Sequence, residues 1–424
     1  MNALTEFLKK SYTAYHACKN AKEFLLLNGF QQLQEDDDWA ICEDGKYFVV
    51  RNDSSLIAFT IGILDDFRYK IVATHTDSPA LKLKENPFSP SNAYVTLNVE
   101  KYGGGIWYSF FDRPLKIAGR LVTNKNGLLQ TEVVTSSYQV TIPSVAIHMN
   151  RNVNDGFSVN PQIDLQPLYS LKEENVSLND LVWDEDATLI AHDLFVVNAD
   201  MPYSFGKNDE FFASPRLDNL ANVYASLEAL INNNDRNGIC IAAMLDNEEV
   251  GSLTPQGADG DFLETVTKRI AYSLRLDENE YYKAITTSFL LSADNAHALH
   301  PNHPEKSDPT NKTLLGGGIV IKSHANKAYT TDALSAAIIK TVWDNANVSY
   351  QTFFNRSDMQ SGSTLGAAST RHISIKAADI GIAQLAMHSA CECFAKKDYL
   401  EMVKGLTAFY DADILFTKDG VIVR

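Results

Sequence analysis

Two imidazoles and four carboxylates stand where apolar runs of this chain give way to loops or a helix: His75, Asp218, Glu248, Glu249, Asp294 and His388. Glu248 and Glu249 belong to Asp246-Asn247-Glu248-Glu249-Val250-Gly251-Ser252, directly after the apolar run Ile239–Leu245, which reads as a buried strand. Neighbouring strand residues point to opposite faces, so adjacent glutamates take different tasks only where a strand breaks into a loop. One can ligate a metal while the other holds a proton. His75 and Asp77 are two apart, so on a strand they share a face and Asp77 can accept from the imidazole nitrogen turned away from a metal. Each feature alone is commonplace: Glu pairs sit on solvated loops, and Asp218 stands where a helix cap would. The count carries the argument. Two imidazoles and three carboxylates suit two divalent cations sharing one carboxylate, with Glu248 to spare.

The elements around them follow from hydrophobic period. Residues 4–30 repeat Leu4, Phe7, Leu8, Tyr12, Tyr15, His16, Phe24, Leu25 and Leu26 as amphipathic helix. Residues 46–51 and 55–62 form a strand pair turning at Asn52-Asp53, and 69–79 a buried strand. Leu220, Val223, Tyr224, Leu227, Leu230 and Ile231 line one face of a helix after Asp218. The strand 239–245 is bounded by Asn237-Gly238, with 254–257 as loop after it, and 287–298 repeats the plan of apolar strand and carboxylate exit. Gly316-Gly317-Gly318 enters a strand ending at Lys322, 331–346 is a helix, 350–354 a strand, and Ser361-Gly362-Ser363-Thr364 opens a helix. A last strand lies within 375–385 and a helix over 399–410. Strands alternating with helices predict an α/β fold with a mostly parallel central sheet, whose strand ends converge at one edge. Residues 83–212 differ: short alternating runs at 93–100, 115–122, 130–134 and 137–142 predict an inserted β-rich domain, leaving 1–82 and 213–424 as the catalytic domain.

Composition is that of an ordinary globular protein, with 45% hydrophobic and 21% charged residues over 424 positions. The net charge of −16 argues against nucleic acid and anionic membranes as partners. No stretch reaches membrane-spanning length and the N-terminus lacks a secretory pattern, so a cytoplasmic location is expected. Cys18, Cys42, Cys240, Cys391 and Cys393 form no CxxC pair or disulfide ladder, which suits a reducing compartment. Cys391-x-Cys393 lacks the second pair that a closed zinc site needs.

The motifs together resemble the aspartyl aminopeptidases, cocatalytic dizinc exopeptidases, over nearly the whole chain. They are His75-Thr76-Asp77-Ser78-Pro79, Tyr102-Gly103-Gly104-Gly105-Ile106-Trp107, Ala146-Ile147-His148-Met149-Asn150-Arg151, Arg216-Leu217-Asp218-Asn219, the Glu248-Glu249 segment, Ser292-Ala293-Asp294-Asn295-Ala296-His297 and Met387-His388-Ser389. The resemblance implies two zinc ions per chain, bridged by Asp218, one held by His75 and Asp294 and the other by Glu249 and His388. It implies Glu248 as general base for a zinc-bridged hydroxide and Asp77 as the partner of His75. His148 would reach a neighbouring subunit's site from the inserted domain, which would serve dimerisation within a dodecamer. Peptides with a free N-terminus would be the substrates, Asp or Glu the preferred first residue, and Lys322 the cation that receives its side chain. Co or Mn can replace zinc at such ligands.

One departure bears on specificity. Cys391 stands three after His388, where acid-specific members commonly carry Arg, the natural bidentate partner of a carboxylate. A broad or neutral-preferring aminopeptidase therefore remains in view. A dizinc carboxypeptidase or amide deacylase shares the metal chemistry but not the His148 segment. A catalytically silent oligomeric binding protein on the same scaffold is disfavoured by the complete set of ligands and Glu248.

Overall fold

The computed structural model describes residues 1–64, 67–90, 93–172, 176–182, 186–233, 238–360 and 362–424. Asn237 and Ser361, both read above as turn or helix-start residues, lie outside them.

Nine strands form the main sheet, in the order Gln31–Leu33, Lys46–Arg51, Ser55–Ile61, Ile239–Leu245, Tyr69–His75, Phe289–Ala293, Lys376–Gly381, Ile319–Lys322 and Tyr350–Phe353. Its centre is parallel: Ile239–Leu245, Tyr69–His75, Phe289–Ala293 and Lys376–Gly381 run the same way. Antiparallel pairs occur where Ser55–Ile61 meets its two neighbours and where Ile319–Lys322 meets Lys376–Gly381. The central strands are largely apolar because both faces are covered. One face packs on the N-terminal helices and on Leu217–Asn232, Ala333–Asn345 and Lys396–Asp411. The other packs on Phe262–Ser273, Glu278–Thr286 and Leu365–His372. All seven residues of Ile239–Leu245 are buried, and each Val, Leu or Ile so placed contributes about 1.5–3 kcal/mol.

The parallel register sets the strand ends level. Leu245 pairs with His75, and Ser292 with Ala73, so the Glu248-Glu249 loop, His75 and Asp294 leave the sheet at one edge.

A second, six-stranded sheet takes its strands from Ala80–Pro90 through Thr188–Asn198 and is antiparallel, with its own apolar cluster around Leu97, Ile117, Leu121 and Val196. Phe211–Ser214 pairs instead with Glu392–Ala395 in a five-stranded sheet, so residues 203–214 join the chain that follows the main sheet. The strand expected over 137–142 reduces to isolated bridges at Val140, Thr141 and Ile142. The helices Phe262–Ser273 and Glu278–Thr286, left unassigned above, carry their own signals: apolar residues at helical spacing and a capping box between Asp277 and Glu280. Among the described residues no helix is long and apolar enough to cross a membrane.

Candidate functional site

His75, Asp218, Glu248, Glu249, Asp294 and His388 come together at this edge. The strand Tyr69–His75 ends on His75 itself, which is 1% exposed. Its Nε2 lies 3.4 Å from Oδ1 of Asp218 and 3.4 Å from Oδ1 of Asp294. The other oxygen of Asp218 faces His388, whose Nε2 is 3.7 Å from Oδ2 of Asp218 and 3.3 Å from Oε1 of Glu249. Asp218 therefore stands between two imidazoles, one oxygen toward each.

Asp77 meets His75 just past the end of the strand. His75 Nδ1 lies 3.1 Å from the Asp77 carbonyl oxygen and 3.4 Å from its Oδ1. The Asp77 carboxylate also accepts the backbone N–H groups of Glu248 and Glu249, each at 3.1 Å. It thus fixes both glutamates relative to His75.

Three further residues position the site: Tyr102 and Gly103, quoted above only as part of a motif, and Glu392, which no sequence signal singled out. Tyr102 donates its hydroxyl to Oδ2 of Asp77 at 2.7 Å and accepts from Asn247 at 2.9 Å. Gly103, with φ +74°, lies against Glu249, where a Cβ would meet that residue's Cβ at 3.1 Å. Glu392 is buried, and its two oxygens accept the N–H groups of Asp218 at 2.9 Å and His388 at 2.6 Å. His388 Nδ1 lies 3.0 Å from the Gly104 carbonyl oxygen, which leaves Nε2 facing the carboxylates. Beneath them Asn219, Asn222, Asn295 and Gln384 form a buried amide network; Asn219 donates to the carbonyl of Ala293 at 2.8 Å, beside Asp294.

The electrostatics favour positive charge. Burial disfavours a charged His75, yet Asp218, Asp294 and Asp77 outweigh it and hold the imidazole well above its usual range. Burial, reinforced by Asp294, Asp77 and Asp218 against the opposing His75, pushes Glu248 up to about 8. Asp294 is buried too, but Lys322 and His75 hold it well below the carboxylate range.

A cleft of about 220 Å³ opens beside this cluster, lined by His75, Asp218, Glu248, Asp294 and His388 together with His297, Lys322, Tyr329 and Phe353. Lys322, expected to receive the substrate's first side chain, is 2% exposed. Its ammonium lies 3.3 Å from Oδ2 of Asp294 and 3.2 Å from the Asn295 carbonyl oxygen, and 5.1 Å from the centre of the Tyr329 ring. His297 packs edge-on against Phe353 at 6.2 Å and was signalled in the sequence only as the end of a motif. Cys391 is half-buried beside Tyr203 and is not part of the cleft lining. His148 is also absent from that lining. It sits in an exposed loop with Val145, Ile147 and Met149, which are 60%, 48% and 78% exposed.

A family model described as Aminopeptidase I zinc metalloprotease (M18) matches residues 7–410. The chain belongs to the M18 aminopeptidases. A probable M18 family aminopeptidase 2 of Clostridium acetobutylicum is 40% identical over 422 residues, covering 96% of this chain and 98% of that protein. One of Pseudomonas entomophila is 38% identical over 425 residues, covering 96% and 97%. Among solved structures, the cryo-EM structure of an Ape4 and Nbr1 complex matches with a TM-score of 0.92 at 33% identity, over 97% of this chain and 85% of that one. The S. cerevisiae mApe1 dodecamer matches with a TM-score of 0.83 at 26% identity, over 96% and 95%.

The zinc that M18 membership implies fits these residues. Oδ1 of Asp218 and Oε1 of Glu249 are buried without a hydrogen-bond partner, a costly state for a carboxylate oxygen unless a cation takes it. His75 with Asp218 and Asp294, and His75 with Glu248 and Glu249, bring their ligand atoms within 4.8 Å of one another. Imidazole and carboxylate are donors that zinc accepts.

Proposed function

We propose that this M18 aminopeptidase releases the first residue of peptides with a free N-terminus, with preference for Asp or Glu, at a pair of zinc ions. Asp218 would be shared between them, with His75 and Asp294 holding one and Glu249 and His388 the other. The observation that carries this reading is the placement of the two Asp218 oxygens toward different imidazoles. Zinc, when bound, supplies Lewis acidity that can lower the pKa of water from about 15.7 to about 7.

The chain's own groups do the rest. Asp77 fixes His75 with Nδ1–H directed to itself, so that the Nε2 lone pair faces the cleft. Glu248, the carboxylate left over from ligation, takes the proton of the attacking water and returns it to the departing amine nitrogen. Lys322 has three N–H donors; Asp294 and Asn295 take two, which leaves one for the carboxylate of a first Asp or Glu. Tyr329 and Phe353 supply ring surface in the same cleft, which favours the second reading, a broader enzyme that also accepts neutral side chains.

His148 acts in a neighbouring subunit, where it supports the oxyanion. Its exposure in this chain, on a loop flanked by exposed apolar residues, supports a role completed by assembly. The β-rich segment mediates that dimerisation, and dimers build a dodecamer of the kind formed by the yeast relative. The free cysteines agree with a cytoplasmic setting.

Initial rates on matched peptides beginning with Asp, Glu, Leu or Lys, and on an N-acetylated control, with and without chelator, test the reading. Chelator-sensitive release of Asp and Glu is expected, restored by zinc and in part by Co or Mn. Faster Leu release would overturn the acidic preference alone; no release from any free N-terminus in a zinc-loaded sample would overturn the activity.

A further inference from the structure

Asp379 lies on the strand Lys376–Gly381, is fully buried, and pairs with Lys322 across the antiparallel ladder. Its Oδ2 accepts the backbone N–H and the hydroxyl of Thr330, each at 2.6 Å, and its Oδ1 accepts the hydroxyl of Thr364 at 2.5 Å. Its own N–H donates to the Thr331 hydroxyl at 2.8 Å. The packing is close: a Cβ on Gly366 would meet Asp379 Oδ1 at 2.9 Å.

Both threonine segments belong to the cleft. Thr330 follows Tyr329, the ring beneath the Lys322 ammonium. Thr364 follows Gly362 and Ser363, and all three line the cleft. Asp379 is not part of that lining and acts through the residues it holds.

Burying a carboxylate is costly, and it persists only where its acceptor sites are used. Here the carboxylate does what a neutral group cannot. A carboxylate only accepts, so both hydroxyls must give it their single proton and their orientation is fixed. An Asn in its place would turn an NH2 donor toward one of them.

Resting on the aminopeptidase reading of the cleft, we propose that Asp379 is a positioning residue for selection of the first residue. It ties the Tyr329 wall and the 362–364 wall to the strand beside Lys322, and thereby sets the width of the pocket that receives the first side chain.

The test compares the zinc-loaded wild type with Asp379→Asn, Thr330→Val and Thr330→Ser on the panel of Asp, Glu, Leu and Lys peptides, with zinc per chain measured on each. In Asp379→Asn, KM for the best wild-type substrate is expected to rise at least about tenfold. The spread of kcat/KM across the panel should narrow by a similar factor, while kcat on that substrate and zinc content hold. Thr330→Val should move the panel in the same direction by less, and Thr330→Ser, which keeps the hydroxyl, should restore it. If Asp379→Asn does not fold, the two Thr330 variants decide. An unchanged spread in a folded variant, or a loss of kcat shared equally by all substrates at constant KM, would overturn the role of Asp379. A wild type that releases nothing would fail the aminopeptidase reading instead.

Discussion

The Lys322 ammonium lies 3.3 Å from Oδ2 of Asp294, and both groups are buried. One cation thus faces both the Asp294 carboxylate and the cleft. Lys322→Met should slow Asp and Glu release by roughly 10–100-fold, the worth of a charged hydrogen bond, and Leu release by a smaller factor through Asp294. The kcat/KM values on the three peptides separate these effects. Untouched Leu release would assign Lys322 to the substrate alone, and equal losses would assign it to Asp294 alone.

Glu392 holds the backbone of Asp218 and His388 with one oxygen each. Glu392→Gln leaves one of those N–H groups facing a donor, a cost of about 1–3 kcal/mol. Weaker zinc retention on dialysis and a lower melting temperature are expected together. Wild-type zinc content after dialysis would show that the two segments keep their place without it.

Gly103 has a left-handed backbone and touches Glu249. Gly103→Ala pays about 1–2 kcal/mol for that conformation and pushes on the glutamate as well. Its rate on the best peptide should fall about tenfold with little change in melting temperature. A rate equal to wild type would mean that the 102–105 strap yields freely.

His16 sits between the hydroxyls of Thr13 at 2.9 Å and Thr135 at 2.8 Å. Burial, with help from Arg216, pushes its imidazole down to about 3. The unfolded chain, titrating near 6.5, binds the proton that the folded chain refuses. Stability from this group is therefore fully present above about 6.5 and declines as pH falls toward 3, by about 2 kcal/mol at pH 5. His16→Gln should shrink the drop in melting temperature between pH 7 and pH 5. Parallel curves for the two proteins would rule out a neutral His16.

The gathering of His75, Glu249 and Asp294 was legible because parallel strands in register end level, so groups at their exits meet; Asp218 and His388 arrive instead from chain that follows strands of the five-stranded sheet. Asp77 was legible as the partner of His75 two residues before it, and its Oδ1 lies 3.4 Å from the imidazole Nδ1; its hold on the N–H groups of Glu248 and Glu249 was not, because those lie far along the chain. Glu392 and Asp379 were not legible, and Tyr102 was visible as a motif residue but without its role, since each acts through contacts with segments far away in sequence that no local period announces. The helices Phe262–Ser273 and Glu278–Thr286 had ordinary amphipathic signals, but no chemistry drew attention to them. Lys322 was seen as a cation and not as half of a buried pair, because pairing across a sheet depends on strand order.

The two imidazoles that face Asp218 come from distant parts of the chain, one early and one close to the end. During synthesis, at about 5–20 residues per second, the first waits on the order of a minute or less for the second to leave the ribosome. Through that interval an emerging chain holds only part of its cluster. A message cut short before His388 yields a product in which Asp218 keeps one imidazole and lacks the other.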